Sequence, residues 1–251
     1  MPALNIRIQG SGISVVFLHG FLESSTMWKY LQFPKDVFQC IYVDIPGHGK
    51  SAPLKDENAS ITSLAQSICN ELVSKGITTF DLVGHSMGGY VALEIARIVK
   101  FSPKVILLNS NFWEDATEKK LNRDRVISII SRNKDLFIQE AIPGLFINPA
   151  AHKSSIETLI SEAKDISIDG ITYVSLAMRN RPDLTRFAQS IASTLVCIQG
   201  EKDAIVTEEE MVLKSSGLIP CITIPNAGHM SHIEASKVVE KTITDLLLDK
   251  L

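Results

Sequence analysis

Leu82-Val83-Gly84-His85-Ser86-Met87-Gly88-Gly89 runs from an apolar segment into a Gly-x-Ser-x-Gly turn, and its reading decides the fold. Phe80, Leu82 and Val83 supply an apolar run of strand length. After the turn, Val91, Ala92, Ile95 and Val99 recur at helical spacing. Ser86 is therefore expected on a tight turn between a strand and a helix. Such a turn strains the backbone and brings strand and helix close together, which is why Gly84 and Gly88 are small. It also pushes the serine hydroxyl outward, next to a helix N-terminus whose free N–H groups suit an oxyanion. A Gly-rich turn with an incidental serine has the same letters, so partners elsewhere in the chain must decide.

Outward from this turn, strands and helices alternate. Ile13–Leu18, Cys40–Ile45, Val105–Leu108, Leu195–Ile198 and Cys221–Ile224 read as buried strands, and Leu4, Ile6 and Ile8 as a half-exposed one. Ser24-Ser25 is expected to cap a helix carrying Met27, Trp28 and Leu31. Leu64, Ile68, Leu72 and Val73 mark an amphipathic helix that Gly76 stops, and Ser231 opens a C-terminal helix through Val238, Ile243 and Leu247. Between residues 111 and 191 no buried strand is evident, only helical patterns such as Leu121, Val126, Ile129 and Ile130. A stretch of that length is too long for a loop and must have structure of its own. The expected architecture is α/β: a mostly parallel sheet flanked by helices, formed by residues 1–110 and 192–251, with residues 111–191 as an inserted helical cap.

Ser86 needs a base, and the base needs an orienting acid. Asp203 follows the strand Leu195–Ile198 in Gln199-Gly200-Glu201-Lys202-Asp203, and His229 follows the last strand in Pro225-Asn226-Ala227-Gly228-His229. Serine, acid and histidine thus come in that order, each at a strand end. His229 is expected to take the proton of Ser86, and Asp203 to hold the imidazole. The preceding strand ends in Asn109-Ser110, without a carboxylate, which favours Asp203 as the acid. Two backbone N–H groups are expected to form the oxyanion hole, one from Met87 and one from Phe21 in the loop His19-Gly20-Phe21-Leu22. His19 and His85 are read as fixing loop geometry, and His232 as a surface or capping residue. Leu22, Trp28, Tyr90, Phe112 and Trp113 are the candidates for lining an acyl pocket, each equally compatible with core packing.

His19-Gly20-Phe21, Asp44-x-Pro46-Gly47-His48-Gly49-x-Ser51, Gly84-His85-Ser86-Met87-Gly88-Gly89, Gly200-Glu201-x-Asp203 and Gly228-His229 together resemble the α/β-hydrolase superfamily with a helical cap. The resemblance runs nearly end to end. Met178-Arg179-Asn180-Arg181-Pro182-Asp183 is further similar to small carboxylesterases, 3-oxoadipate enol-lactonase-like enzymes and relatives of pimeloyl-carrier-protein methyl esterases. The resemblance implies hydrolysis of a carboxylic ester, lactone or thioester through an acyl-serine, with no cofactor and no metal. Serine at position 86 argues against epoxide hydrolases and haloalkane dehalogenases, which carry aspartate there.

Two other readings keep the same three residues. One is carbon–carbon cleavage or elimination on a dicarboxylate, with Arg123, Arg125, Arg132 and Lys134 as cations in the cap segment. The other is a small-molecule receptor built on a hydrolase fold. The same cations also suggest docking of an acidic acyl-carrier protein. A net charge of −3 over 251 residues gives no reason to expect nucleic acid or an anionic membrane. The start Met1-Pro2-Ala3-Leu4 lacks signal-peptide character, and Cys40, Cys69, Cys197 and Cys221 match no metal or redox spacing. The expectation is a cytoplasmic protein with four reduced thiols in its core.

Overall fold

The computed structural model describes residues 3–56 and 58–250; Met1 and Pro2, part of the start read above, lie outside them. Among the described residues seven strands form one sheet: β1 (Ile6–Gln9), β2 (Ile13–Leu18), β3 (Phe38–Val43), β4 (Asp81–His85), β5 (Val105–Leu108), β6 (Leu195–Gly200) and β7 (Cys221–Ile224). Their order is β1-β3-β2-β4-β5-β6-β7, with β1 antiparallel to β3 and every other neighbour pair parallel. The chain leaves β2 toward one edge to make β3, then returns to make β4 on the other side of β2. At such a reversal the loops after the two adjacent strands part and leave a crevice. Here those loops are His19–Leu22 and the turn at Ser86.

Between the strands run α1 (Ile61–Ser74), α2 (Met87–Ile98), α3 (Thr117–Ala141), α4 (Lys153–Lys164), α5 (Ile168–Arg179), α6 (Thr185–Ser190) and α7 (Glu208–Ser215), and after β7 come α8 (Ser231–Glu234) and α9 (Ser236–Leu247). Side chains alternate across a strand, so each buried strand feeds two cores. Val16 and Leu18 face one core with Leu64 and Leu72 of α1 and Val91 and Ile95 of α2. Val15 and Phe17 face the other, with Trp28 and with Val239, Ile243 and Leu247 of α9. Helices on both faces explain why the strands read as unbroken apolar runs.

The segment between β5 and β6 holds α3 to α6 and no strand. The pattern read from Leu121 to Ile130 is the first part of α3, which runs on to Ala141 and breaks at Asn133 (φ −153°, ψ 78°). The Asn133 side chain accepts the N–H of Leu136 at 3.1 Å and so caps the second half. Ile130, Ile138, Ile156 and Leu159 form a third cluster that closes onto Leu22 and Met230. These inserted helices therefore rest on the loops after β2 and β7.

Two local expectations are corrected. The helix at Ser231 ends at Ala235 (φ −135°, ψ 41°), where α9 begins afresh. His232 is fully buried rather than superficial, its ring 4.7 Å from that of His85 and 6.3 Å from that of Trp28. All four cysteines are free; Cys40, Cys69 and Cys197 are buried and Cys221 is half-buried. None of the described helices is long and apolar enough to cross a membrane.

Candidate active site

Ser86 has φ 49° and ψ −116°, a strained conformation for a residue with a side chain. What holds it is the close approach of strand and helix. A Cβ on Gly84 would lie 2.4 Å from the Gly88 carbonyl oxygen, and one on Gly88 only 2.2 Å from that of Leu18. Hydrogen bonds pin the turn: Ser86 N–H donates to Leu108 O at 3.0 Å, and Ser110 Oγ–H to Ser86 O at 2.6 Å.

Ser86 Oγ lies 3.0 Å from His229 Nε2, across 143 residues of sequence. His229 Nδ1 lies 3.1 and 3.0 Å from the two oxygens of Asp203. Facing a carboxylate, Nδ1 carries the hydrogen, so Nε2 is free to accept from the Ser86 hydroxyl. Asp203 is itself held in place. Its Oδ1 accepts the N–H groups of Ile205 and Val206, and its Oδ2 the Asn109 side-chain amide at 2.9 Å. Burial pushes the Asp203 carboxyl upward, but the neighbouring His229 and these hydrogen bonds bring it below the usual carboxylate range.

The loop after β2 is braced from both ends. His19 Nε2 accepts the Ile45 N–H at 2.9 Å, so its Nδ1–H donates to Gly20 O at 2.8 Å. The Gly20 N–H donates to Glu23 Oε2 at 2.7 Å, and that same oxygen lies 2.9 Å from His85 Nδ1. A Cβ on Gly20 would fall 2.3 Å from Glu23 Oε2, so this contact requires glycine. Among the described residues, neither Phe21 N–H nor Met87 N–H has a protein acceptor outside regular structure.

A cavity of about 200 Å³ opens beside Ser86 and His229. Its walls include Phe21, Leu22 and Tyr90 from the sheet side, and Phe137, Ile142 and Met178 from the inserted helices. Three pocket expectations fail. Trp28 sits in a short 3-10 turn, Ser25–Tyr30, whose apolar side packs on the opposite face of the sheet; its ring meets Phe17 edge-on at 5.2 Å. Phe112 and Trp113 are buried against α2 and line a separate small cleft with Arg181 and Leu184. Of the expected lining residues, Leu22 and Tyr90 border the cavity.

The cavity also has a charged wall. Arg123, one of the four cations read as partners for a dicarboxylate, borders it, its Nε bonded to the buried Asp115 and Nη1 3.4 Å from Met178 Sδ. Asp115 also meets Arg181 Nη1 at 2.7 Å, and the Arg181 guanidinium lies over the Tyr90 ring at 4.0 Å. Burial raises the Asp115 carboxyl, but the two guanidiniums pull it below its ordinary value. The four cations form no single patch: Lys134 binds the carbonyls of Lys164 and Ile166, while Arg125 and Arg132 are exposed. Glu23 and Asp115 went unread, and Asn109 and Arg181 were quoted in the sequence without a role in the site. Glu23 had one clue, its place three residues after Gly20 in a strand-end loop.

Residues 15–242 match the family model described as the alpha/beta hydrolase family. A 2-succinyl-6-hydroxy-2,4-cyclohexadiene-1-carboxylate synthase of Citrobacter koseri is 26% identical over 246 residues, covering 93% of each chain. The structure of an esterase from Thermogutta terrifontis is similar at TM-score 0.89 and 29% identity, covering 98% of this chain and 93% of that one. An enol-lactonase from Burkholderia xenovorans has the same fold at TM-score 0.86 and 20% identity, covering 98% and 96%.

Proposed function

The chain belongs to the alpha/beta hydrolase family, and on that premise we propose that it cleaves a carboxylic ester, lactone or thioester of small to medium size through an acyl-serine intermediate. The observation that carries this is the unbroken hydrogen-bonded line from Ser86 Oγ through His229 to Asp203. His229 Nε2 takes the hydroxyl proton as Ser86 Oγ attacks the carbonyl carbon, and the carbonyl oxygen becomes an oxyanion. Phe21 and Met87 N–H are the donors assigned to that oxygen; fixed donors of this kind are worth about 10²–10³ in rate each. The proton on His229 then passes to the leaving alcohol or thiol, and the acyl-serine forms. Water, activated by the same Nε2, attacks the acyl carbon; the acid leaves and Ser86 Oγ regains its proton. This sequence requires no cofactor.

The cavity walls favour an apolar acyl or alkyl group, since Phe137, Ile142 and Met178 face it from the inserted helices. The test is a p-nitrophenyl ester series measured with wild type and Ser86→Ala. The reading predicts a length optimum and loss of turnover in the variant. Full activity in a folded Ser86→Ala protein sinks it.

Two observations support a second reading, carbon–carbon cleavage or elimination on a dicarboxylate: the Arg123 guanidinium borders the cavity, and a relative is a 2-succinyl-6-hydroxy-2,4-cyclohexadiene-1-carboxylate synthase. The ester reading ranks first because Arg123 is already paired with buried Asp115, which spends much of its charge. Turnover of a vinylogous diketone by a protein inert to simple esters reverses that ranking.

A further inference from the structure

We propose that Glu23 holds His85 as a buried imidazolium, and that this charged pair is the clamp that positions the oxyanion loop and the His229 loop around Ser86. The argument rests on donors and acceptors. His85 Nδ1 lies 2.9 Å from Glu23 Oε2, and Nε2 lies 3.0 Å from the His229 carbonyl oxygen. The His229 carbonyl is an acceptor, and so is Glu23 as a carboxylate, the state favoured by the Gly20 N–H that it accepts and by the histidines around it. A neutral imidazole carries one N–H, so it would leave an acceptor facing a lone pair at one of these contacts. Both are satisfied only when both ring nitrogens are protonated.

The ring is 1% exposed, so water cannot substitute for either partner. An unpaired charge at this depth would be costly, and the Glu23 carboxylate compensates it. Glu23 Oε2 also accepts the Gly20 N–H at 2.7 Å. One oxygen thus joins the loop after β2 to the turn after β4, and the other side of the ring joins that turn to the loop after β7.

The groups around His85 agree with one positive charge there. Glu23 faces it from the β2 loop, His232 from α8 with rings 4.7 Å apart, and His229 with rings 5.2 Å apart. His19 and Asp203 act on the same cluster from the ends of β2 and β6. Burial pushes His85 down, but Glu23, the His229 carbonyl and Asp203 together outweigh this, and its affinity for the proton is raised. His232, buried and next to His85, is pushed down to about 3, which leaves it neutral. Burial raises Glu23, but His85, His232 and His19 bring it to about 2.

The kinetic part of this assignment rests on the proposed serine chemistry; the charge state does not. The experiment is ¹⁵N spectroscopy of histidine-labelled protein at about pH 7.5, a unit above an ordinary imidazole, on wild type, Glu23→Gln and His85→Asn. The expected wild-type spectrum has one ring with two protonated nitrogens, absent in His85→Asn and singly protonated in Glu23→Gln. Glutamine keeps the acceptor oxygen and removes the charge, so kcat should fall roughly tenfold, less than for a direct oxyanion donor. KM should stay within about twofold, and Glu23→Asp should recover part of kcat. A singly protonated His85 in wild type overturns the proposal, as does unchanged kcat in Glu23→Gln. If Glu23→Gln does not fold, the wild-type and His85→Asn spectra decide. If no ester is turned over at all, the proposed function fails while the ring spectrum still reads the charge on His85.

Discussion

Asn109 Nδ2 lies 2.9 Å from Asp203 Oδ2, which ties the end of β5 to the carboxylate after β6. The same amide nitrogen donates to Gly228 O at 3.0 Å, and Asn109 Oδ1 accepts from Ser231 Oγ. One buried side chain thus fixes both loops that meet at His229. Replacing Asn109 with Ala leaves several polar groups unpaired, at a cost of about 1–3 kcal/mol. The expected result is a lower denaturant midpoint and a kcat reduced about tenfold, with Asp203 less well held. Wild-type stability and kcat would show that the amide is dispensable.

Phe137 and Phe112 should behave oppositely. Phe137 faces the cavity from α3, whereas Phe112 lines the cleft by Arg181 and is 2% exposed. Phe137→Ala should lengthen the accepted acyl chain with little loss of stability. Phe112→Ala should leave acyl preference unchanged and cost about 3–5 kcal/mol as a core truncation. Chain-length profiles and urea midpoints for the pair check this, and a shifted profile in Phe112→Ala contradicts the cavity described above.

Asp115 is fully buried between the guanidiniums of Arg123 and Arg181. Removing it leaves two cations facing each other near the cavity wall. Asp115→Ala is expected to destabilise the fold by about 3–5 kcal/mol, the usual result of breaking a buried pair. Double replacement of Asp115 and Arg123 by apolar residues should recover part of that. Equal destabilisation in the single and double variants would show that the pairing is not what matters.

Stability should fall on acidification. Burial, together with His19 beside His48 and His85 beside His232, pushes both histidines from 6.5 to about 3. Between these values the unfolded chain binds protons that the folded chain refuses, so stability is full above pH 6.5 and drains away toward pH 3. Each ring contributes up to about 1.4 kcal/mol per pH unit. Glu23, held at about 2 against 4.5, adds loss of the same sign below pH 4.5. His85 acts in the opposite sense, since its stabilisation is full below pH 6.5 and is lost as pH rises through its raised value. Urea midpoints taken across the acid range should decline steadily; a rise toward acid would contradict the buried neutral rings.

The parallel strands, the turn at Ser86 and the strand-end positions of Asp203 and His229 are legible because each leaves a local mark in sequence. Apolar runs mark the strands, paired glycines mark the turn, and chain order places the loops. The pocket wall leaves no such mark. Trp28 lies in a six-residue 3-10 turn too short for a periodic face, so its orientation follows from packing on Phe17. Phe112 and Trp113 are apolar residues in the loop after β5, and a place beyond the strand next to β4 says little about which cavity they border. His232 follows a helix start and reads as a cap, yet the breadth of the core under α8 buries it. Glu23 and Arg123 are charged residues whose partners, His85 and Asp115, are identified only in three dimensions.

The most direct test is labelling with a fluorophosphonate, wild type beside Ser86→Ala, followed by peptide mapping. The probe reacts with a serine only when a base removes its proton, so it reads the line from Ser86 through His229 to Asp203 without needing the natural substrate. The account predicts a single adduct on Ser86, absent in Ser86→Ala and strongly reduced in His229→Ala. A folded wild-type protein that takes no label, or one labelled elsewhere, would contradict it and favour a binding role for the same cavity.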